Sequence, residues 1–234
     1  MKTRNILLGQ SRANPVLGSV TTMIYTDKKQ LVKLISYMST FDGGLYVVNR
    51  KDRSNKNVNA QFIMNMRAEN LDYIKWVQTV LENITGTELV LRKDYNTDGY
   101  QRATQMRLYS KRHPFLTKIR DRIYIDNHKV IDPHMLKLMD AEALAIIFMT
   151  DGSSKLAQGK YPDISLSTHG HSYADNMSIS KAIYDKLGIR SNINRNKQYY
   201  YLRIKSSDVQ LFIDTVLPYM KESFLYKLKR LAPV

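Results

Sequence analysis

The chain has no cysteine, six prolines and a single tryptophan in 234 residues. Without cysteine there are no disulfides, thiolate zinc sites, iron–sulfur ligation or cysteine nucleophiles. Long apolar runs are also missing. The longest uninterrupted one is the seven-residue stretch 143–149, against the ~18 residues a membrane span needs. The first nine residues carry a basic front, but their apolar stretch is too short for a secretory signal. No phosphate-binding glycine loop or dinucleotide fingerprint occurs, and no Ser–His–Asp arrangement stands out. Acidic residues are scarce: 21 Asp plus Glu face 36 Lys plus Arg, a formal net charge of +15. Such a balance speaks to partners rather than fold, with nucleic acid first and an anionic membrane surface second. The expectation is an intracellular protein, in bacterial or phage-infected cytoplasm or in an organelle matrix.

What is present is enough apolar residue, 43%, to bury a real core. Residues 1–26 read as an irregular leader. A helix pattern then sets Leu31, Leu34, Ile35 and Met38 at helical spacing and stops at Asp42-Gly43-Gly44. Alternating segments at 45–50 and 59–67 read as strands, 69–83 as an amphipathic helix, 88–93 and 102–109 as strands, and 113–122 as a helix. A connector spans 124–133. The series then repeats: a helix over 140–149, a stop at Asp151-Gly152-Ser153-Ser154, a strand at 163–167, a helix over 173–187, a hairpin at 189–205, a helix over 209–216 and a last helix over 218–228. The pattern is a diverged duplication of a small α+β unit. Its parts are a leader (1–26), an N-terminal half (27–123), a linker (124–138) and a C-terminal half (139–234). Trp76 sits at the edge of a helical stripe and reads as core.

The two helix stops are the strongest chemical signal. Asp42 and Asp151, 109 residues apart, each close a largely apolar helix carrying small residues, Ser36 and Ser39 in one and Ala141 and Ala145 in the other. A carboxylate at a helix C-terminus meets the negative end of the macrodipole, and two side by side repel further. A hard divalent cation reverses both penalties. The pair His169 and His171 is a weaker metal candidate, since histidines flanking a turn glycine usually face solvent.

These segments resemble the two signature helices of the LAGLIDADG homing endonucleases, in their single-chain, two-motif form. Residues 143–153, Ala-Leu-Ala-Ile-Ile-Phe-Met-Thr-Asp-Gly-Ser, match the second motif closely, and the first copy rests mainly on Asp42-Gly43. The stretch 124–131 resembles what precedes the second motif, and Leu217-Pro218-Tyr219-Met220 with Tyr226-Lys227-Leu228 resembles the C-terminal signature. The resemblance covers about residues 27–230. It implies two αββαββα units joined at the paired helices, each with a four-stranded antiparallel saddle sheet in the DNA major groove. It further implies that Asp42 and Asp151, with Gly43 and Gly152, form a Mg²⁺ site in which Mn²⁺ can substitute. Lys129 and Lys227 become catalytic basic residues, one per half, each stabilising the phosphorane-like transition state or helping to order the water. The implied reaction hydrolyses one phosphodiester in each strand of a long target, leaving short 3′ overhangs.

A saddle needs strands with long polar outward side chains. The first half offers Asn49, Arg50, Arg53, Asn59, Gln61, Asn65, Arg67, Arg92, Lys93, Gln101, Arg102, Gln105 and Arg107. The second offers Lys155, Ser165, Ser167, His169, Arg190, Asn192, Asn194, Arg195, Gln198, Tyr200 and Arg203. Arginine can read guanine and Asn or Gln adenine through two-point contacts. Two other readings use the same scaffold: an intron-splicing maturase whose partner is RNA, and a DNA or RNA binder that does not cut. With both half-sites on one chain, the expected state is a monomer.

Overall fold

In a computed structural model of the chain, which describes residues 27–47, 59–92, 104–157 and 161–229, the duplication is visible as two similar runs of elements. The first is α1 (Lys28–Phe41), β1 (Gly44–Tyr46), β2 (Gln61–Arg67), α2 (Leu71–Glu82), β3 (Thr87–Arg92), β4 (Gln105–Ser110) and α3 (Pro114–Ile123). A hairpin of β5 (Tyr124–Ile125) and β6 (His128–Lys129), then α4 (Pro133–Lys137), lead to the second. That run is α5 (Ala141–Asp151), β7 (Gly152–Ala157), β8 (Tyr161–Leu166), α6 (Tyr173–Leu187), β9 (Ser191–Asn196), β10 (Tyr199–Ile204) and α7 (Val209–Val216), with α8 (Tyr226–Lys229) near the end.

Each half folds its strands into an antiparallel sheet of matching order, β1-β2-β4-β3 and β7-β8-β10-β9. Period-two alternation decides the faces. Phe62, Met64 and Met66 of β2 are buried while Gln61, Asn65 and Arg67 point away; Ile164 and Leu166 of β8 and Leu202 and Ile204 of β10 line the core in the second half. α1 and α5 pack against each other between the sheets. The buried Ser36, Ser39 and Ala145 lie on these helices, where small side chains permit close approach. Both helices are capped as their sequences suggest: the Asp27 carboxylate accepts the Lys29 N–H and Asp140 accepts the Ala143 N–H, each at 2.9 Å. Asp140 has a second task. With Glu142 it holds the buried Lys33 of α1, at 2.5 and 2.9 Å, tying the start of α5 to α1.

Three elements differ from the sequence expectation. Gly152-Ser153-Ser154 is the opening of strand β7, because Gly152 turns straight out of α5 and Ser154 alternates into the interior. The last helix is broken into two 3₁₀ turns, Leu217–Tyr219 and Glu222–Phe224, before α8. Pro218 removes a backbone donor, and Met220 and Lys221 are extended. The connector contains the β5–β6 hairpin, whose turn residues Asp126 and Asn127 both take positive φ, 49° and 62°, the requirement of a tight two-residue turn. The leader 1–26 lies outside the described residues, as does the second half of the strand expected at 45–50.

Candidate active site and nucleic-acid interface

α1 and α5 deliver Asp42 and Asp151 to the same place at their C-terminal ends, close enough for the charges to interact. The turns that follow are tight. Both the Asp42 and Gly43 N–H groups bond to the Met38 carbonyl, at 3.2 and 2.6 Å, and the Gly152 N–H bonds to the Phe148 carbonyl. A Cβ on Gly152 would stand 2.2 Å from the Phe148 ring and 2.4 Å from its carbonyl oxygen; on Gly43 it would meet the Phe62 ring at 2.6 Å. The glycines are needed because backbone and ring approach so closely.

Each helix end is held by a lysine. Lys129 Nζ donates to the carbonyls of Gly43 (2.7 Å) and Thr40 (3.2 Å). Lys227, buried on α8, donates to Met149 (2.6 Å), Gly152 (2.7 Å) and Phe148 (3.0 Å). In both halves the acceptors include the residue two before the aspartate and the residue one after it. An ammonium there satisfies helix-end carbonyls and offsets the macrodipole.

Burial pushes the Asp42 carboxyl up to about 6, against the opposing pull of Lys129 and Lys227. Asp151 is pushed up to about 7, by burial first and by the Asp42 charge second. Burial in turn lowers Lys129, with both carboxylates opposing it. Among the described residues Asp42 Oδ2 is buried without a hydrogen-bond partner. The buried hydroxyl of Tyr73 on α2 is in the same condition, and its ionisation is pushed well up by burial and by both aspartates. Tyr73 lies within the helix expected over 69–83, and nothing in the sequence spacing marks it as a neighbour of the carboxylates. Two half-buried carboxylates, one with a buried, unsatisfied oxygen, suit a hard divalent cation. No group of three or more His, Cys, Asp or Glu that could hold a metal occurs among the described residues. The two histidines are separated: His169 is exposed between the Tyr199 and Tyr201 rings, 6.0 and 5.8 Å away, whereas His171 is half-buried with its ring 5.8 Å from Phe41.

Asp42 opens onto a cleft of about 750 Å³ whose walls include Asn65, Arg67, Gln105, Thr150 and Lys227. The Asp42 end of the site is thus continuous with the polar face of the first sheet. Gln61, Asn65, Arg67, Gln105 and Arg107 share that face, although the Gln61 amide donates to the Ser110 carbonyl at 2.6 Å. Asn59 is drawn toward α3, accepting from the Thr117 hydroxyl at 3.3 Å. In the second sheet Lys155, Ser165, Asn192, Asn194 and Arg203 share the polar face, together with Tyr199 and Tyr201, which the sequence reading passed over. Gln198 is exposed in the turn, and the Ser167 N–H bonds to the Asp151 carbonyl at 2.7 Å.

Three expected contacts are placed elsewhere. Tyr200 and Arg195 are paired across β9 and β10 and share the parity of buried Leu202, so they lie on the helix side of the sheet. Tyr200 packs edge-on to Tyr173 of α6, with the Arg195 guanidinium 5.9 Å from its ring centre. Arg190 is bound to Asp208 through Nε (2.8 Å) and Nη2 (2.6 Å), which ties the start of β9 to α7. Asn49, Arg50, Arg53, Lys93, Gln101 and Arg102 lie outside the described residues, and of Arg92 only the backbone is described.

Residues 42–212 match the model of the LAGLIDADG DNA endonuclease family. The chain belongs to that family. It is 32% identical over 123 residues to an uncharacterized protein, MJ1098, of Methanocaldococcus jannaschii, a match covering 52% of this chain and 47% of the relative; the chain spans about half the length of that curated relative. Among solved structures it resembles the homing endonuclease I-WcaI bound to its DNA recognition sequence (TM-score 0.68, 22% identity, 86% of each chain). It also resembles I-SmaMI bound to uncleaveable DNA (TM-score 0.54, 13% identity, 86% of this chain and 87% of that one). A third likeness is to an I-DmoI variant with its target DNA in the presence of manganese (TM-score 0.50, 16% identity, 81% and 94%). At these identities the structures show the fold: two α+β halves, each with a four-stranded antiparallel sheet. No helix among the described residues is long and apolar enough to cross a membrane.

Proposed function

We propose that this protein is a site-specific homing endonuclease that makes a Mg²⁺-dependent double-strand break in a long DNA target, leaving short 3′ overhangs. The observation that carries the reading is the carboxylate pair. Burying Asp42 and Asp151 together raises both, and leaves Asp42 Oδ2 unsatisfied. A fold that only bound nucleic acid has no use for that cost.

Asp42 and Asp151 would hold the cation, with the Gly43 and Gly152 carbonyls nearby already accepting from Lys129 and Lys227. When bound, such an ion lowers the pKa of an attacking water and neutralises charge on the phosphate and leaving oxygens. The chain's own groups prepare the place. The lysines fix the helix ends, and their charge favours the ionised carboxylates. Three carbonyls within 3.0 Å match the three protons of Lys227, so its contribution is a fixed positive field rather than a transferred proton. The polar sheet faces and the net charge of +15 would bind the duplex with strong salt dependence, a log–log slope of ~0.9 per phosphate neutralised.

The test is incubation with a randomised duplex library in Mg²⁺ and sequencing of the cut ends. The expected result is one long site with short 3′ overhangs. Sequence-selective binding without cutting would instead establish the non-cleaving binder, and selective binding of structured RNA the maturase.

A further inference from the structure

One arginine in each sheet is anchored in the same way. Arg107 lies on the inner strand β4 directly opposite Asn65 of β2, and its Nε donates to Asn65 Oδ1. Arg203 lies on the inner strand β10, opposite Ser165 of β8, and its Nε donates to Asp163 Oδ1 at 2.7 Å. In both halves the bond runs between the two inner strands of the sheet, on the polar face. It engages the one guanidinium nitrogen that guanine recognition does not need. The terminal nitrogens, the pair that matches guanine O6 and N7, stay outside the cross-strand bond. In Arg107 one of them, Nη1, also donates to the Tyr109 hydroxyl at 3.1 Å, which uses one of its two protons and steadies the fork further.

We infer that Arg107 and Arg203 are the paired guanine readers of the target, one in each half, and that Asn65 and Asp163 are the positioning residues that aim them. The inference rests on the DNA-cleaving reading above and deepens it. An unanchored arginine must order a long side chain before it can make a two-point contact, and that ordering opposes binding. Anchoring through Nε removes most of that cost and fixes the plane of the fork. The two anchors differ in charge. Asn65 leaves Arg107 its full positive charge. Asp163, with only 11% of its side chain exposed, faces both Arg203 and, at 3.9 Å, Lys155. The second sheet's cations are therefore offset by a carboxylate, which weakens their pull on phosphates and leaves Arg203 chiefly a reader of bases.

The experiment is selection of bound duplexes from a randomised library by the full chain, followed by sequencing, for the wild type and for Arg107→Lys, Arg203→Lys and Asp163→Ala. The readout is binding, so cleavage is not required. Lysine keeps the charge and loses the fork. The expected result is loss of a guanine preference, of about tenfold or more, at one position for Arg107→Lys and at one on the other side of the target's centre for Arg203→Lys. Affinity for sequences that lack that guanine should stay near wild type. Asp163→Ala should relax the same position as Arg203→Lys, which a residue holding only the sheet together would not do. Unchanged preferences in all three folded variants, confirmed by melting, would make both bonds structural and overturn the assignment. So would an even loss of affinity across all sequences, the mark of a phosphate contact. If the wild type selects no duplex sequence at all, the endonuclease reading itself falls, and this assignment with it.

Discussion

Replacing Asp42 with Asn should stabilise the metal-free protein at neutral and alkaline pH. The rise of this carboxyl from an ordinary 3.8 to about 6 corresponds to about 3 kcal/mol, at about 1.4 kcal/mol per pH unit. Asparagine keeps the shape and discards the buried charge. Asp151 gains as well, because Asp42 is one cause of its own rise; the two effects overlap and do not add. A folded-state value above the ordinary one means that the folded protein holds a proton the unfolded chain has released. Wild-type stability should therefore fall as pH climbs from about 4 to about 7, then level off. At pH 8, Asp42→Asn should melt about 6–12 °C higher than wild type, taking ~2–4 °C per kcal/mol for a chain of this size. Near pH 4 the two should coincide. The assay is calorimetry across that range in chelator, repeated with Mg²⁺. A bound cation should raise the wild type at pH 8 by mass action and leave Asp42→Asn nearly unmoved. Equal melting temperatures at pH 8 in chelator, or a variant that melts lower, would refute the argument that the pair is held against its own repulsion.

Asp42→Asn and Asp151→Asn should each abolish double-strand cleavage while retaining duplex binding, read by gel shift beside a cleavage gel. Lys227→Met strips a buried donor from the Phe148, Met149 and Gly152 carbonyls and should cost about 3 kcal/mol in denaturant titration; by removing a charge that lowers Asp151, it should also move the acid limb of the cleavage profile to higher pH. Gly152→Ala drives a Cβ into the Phe148 ring and backbone and should cost at least ~1–3 kcal/mol. Gly43→Ala, which meets mainly a ring edge, should cost less.

The carboxylates were legible because a periodic apolar run ending in Asp-Gly is a local signal, and it occurs twice. Strand β7 was hidden because Gly152-Ser153-Ser154 is also good turn chemistry; only pairing with β8 makes it a strand. Tyr199, Tyr200 and Tyr201 carry no polarity difference, so their parity is set by the register across the hairpin. That register, invisible in the local sequence, puts Tyr200 and Arg195 on the helix side. Nothing around Lys33 in the sequence marks it as buried. Its burial depends on Asp140 and Glu142 arriving from more than a hundred residues away, which no local window contains.

The two lysines show how far the duplication constrains the site. They are 98 residues apart in sequence while the aspartates are 109 apart, so they are not equivalent by position. One comes from a hairpin between the halves and the other from a short helix near the end of the described chain. Yet both place an ammonium on the carbonyls two before and one after their aspartate. Different backbone routes reach one electrostatic arrangement, because a carboxylate at a helix C-terminus is unfavourable unless a cation offsets the carbonyl end of the dipole. The match is incomplete: Lys227 has three carbonyl acceptors where Lys129 has two. The second helix end is therefore the more firmly held, and the motif built on it is also the one whose sequence is the clearer.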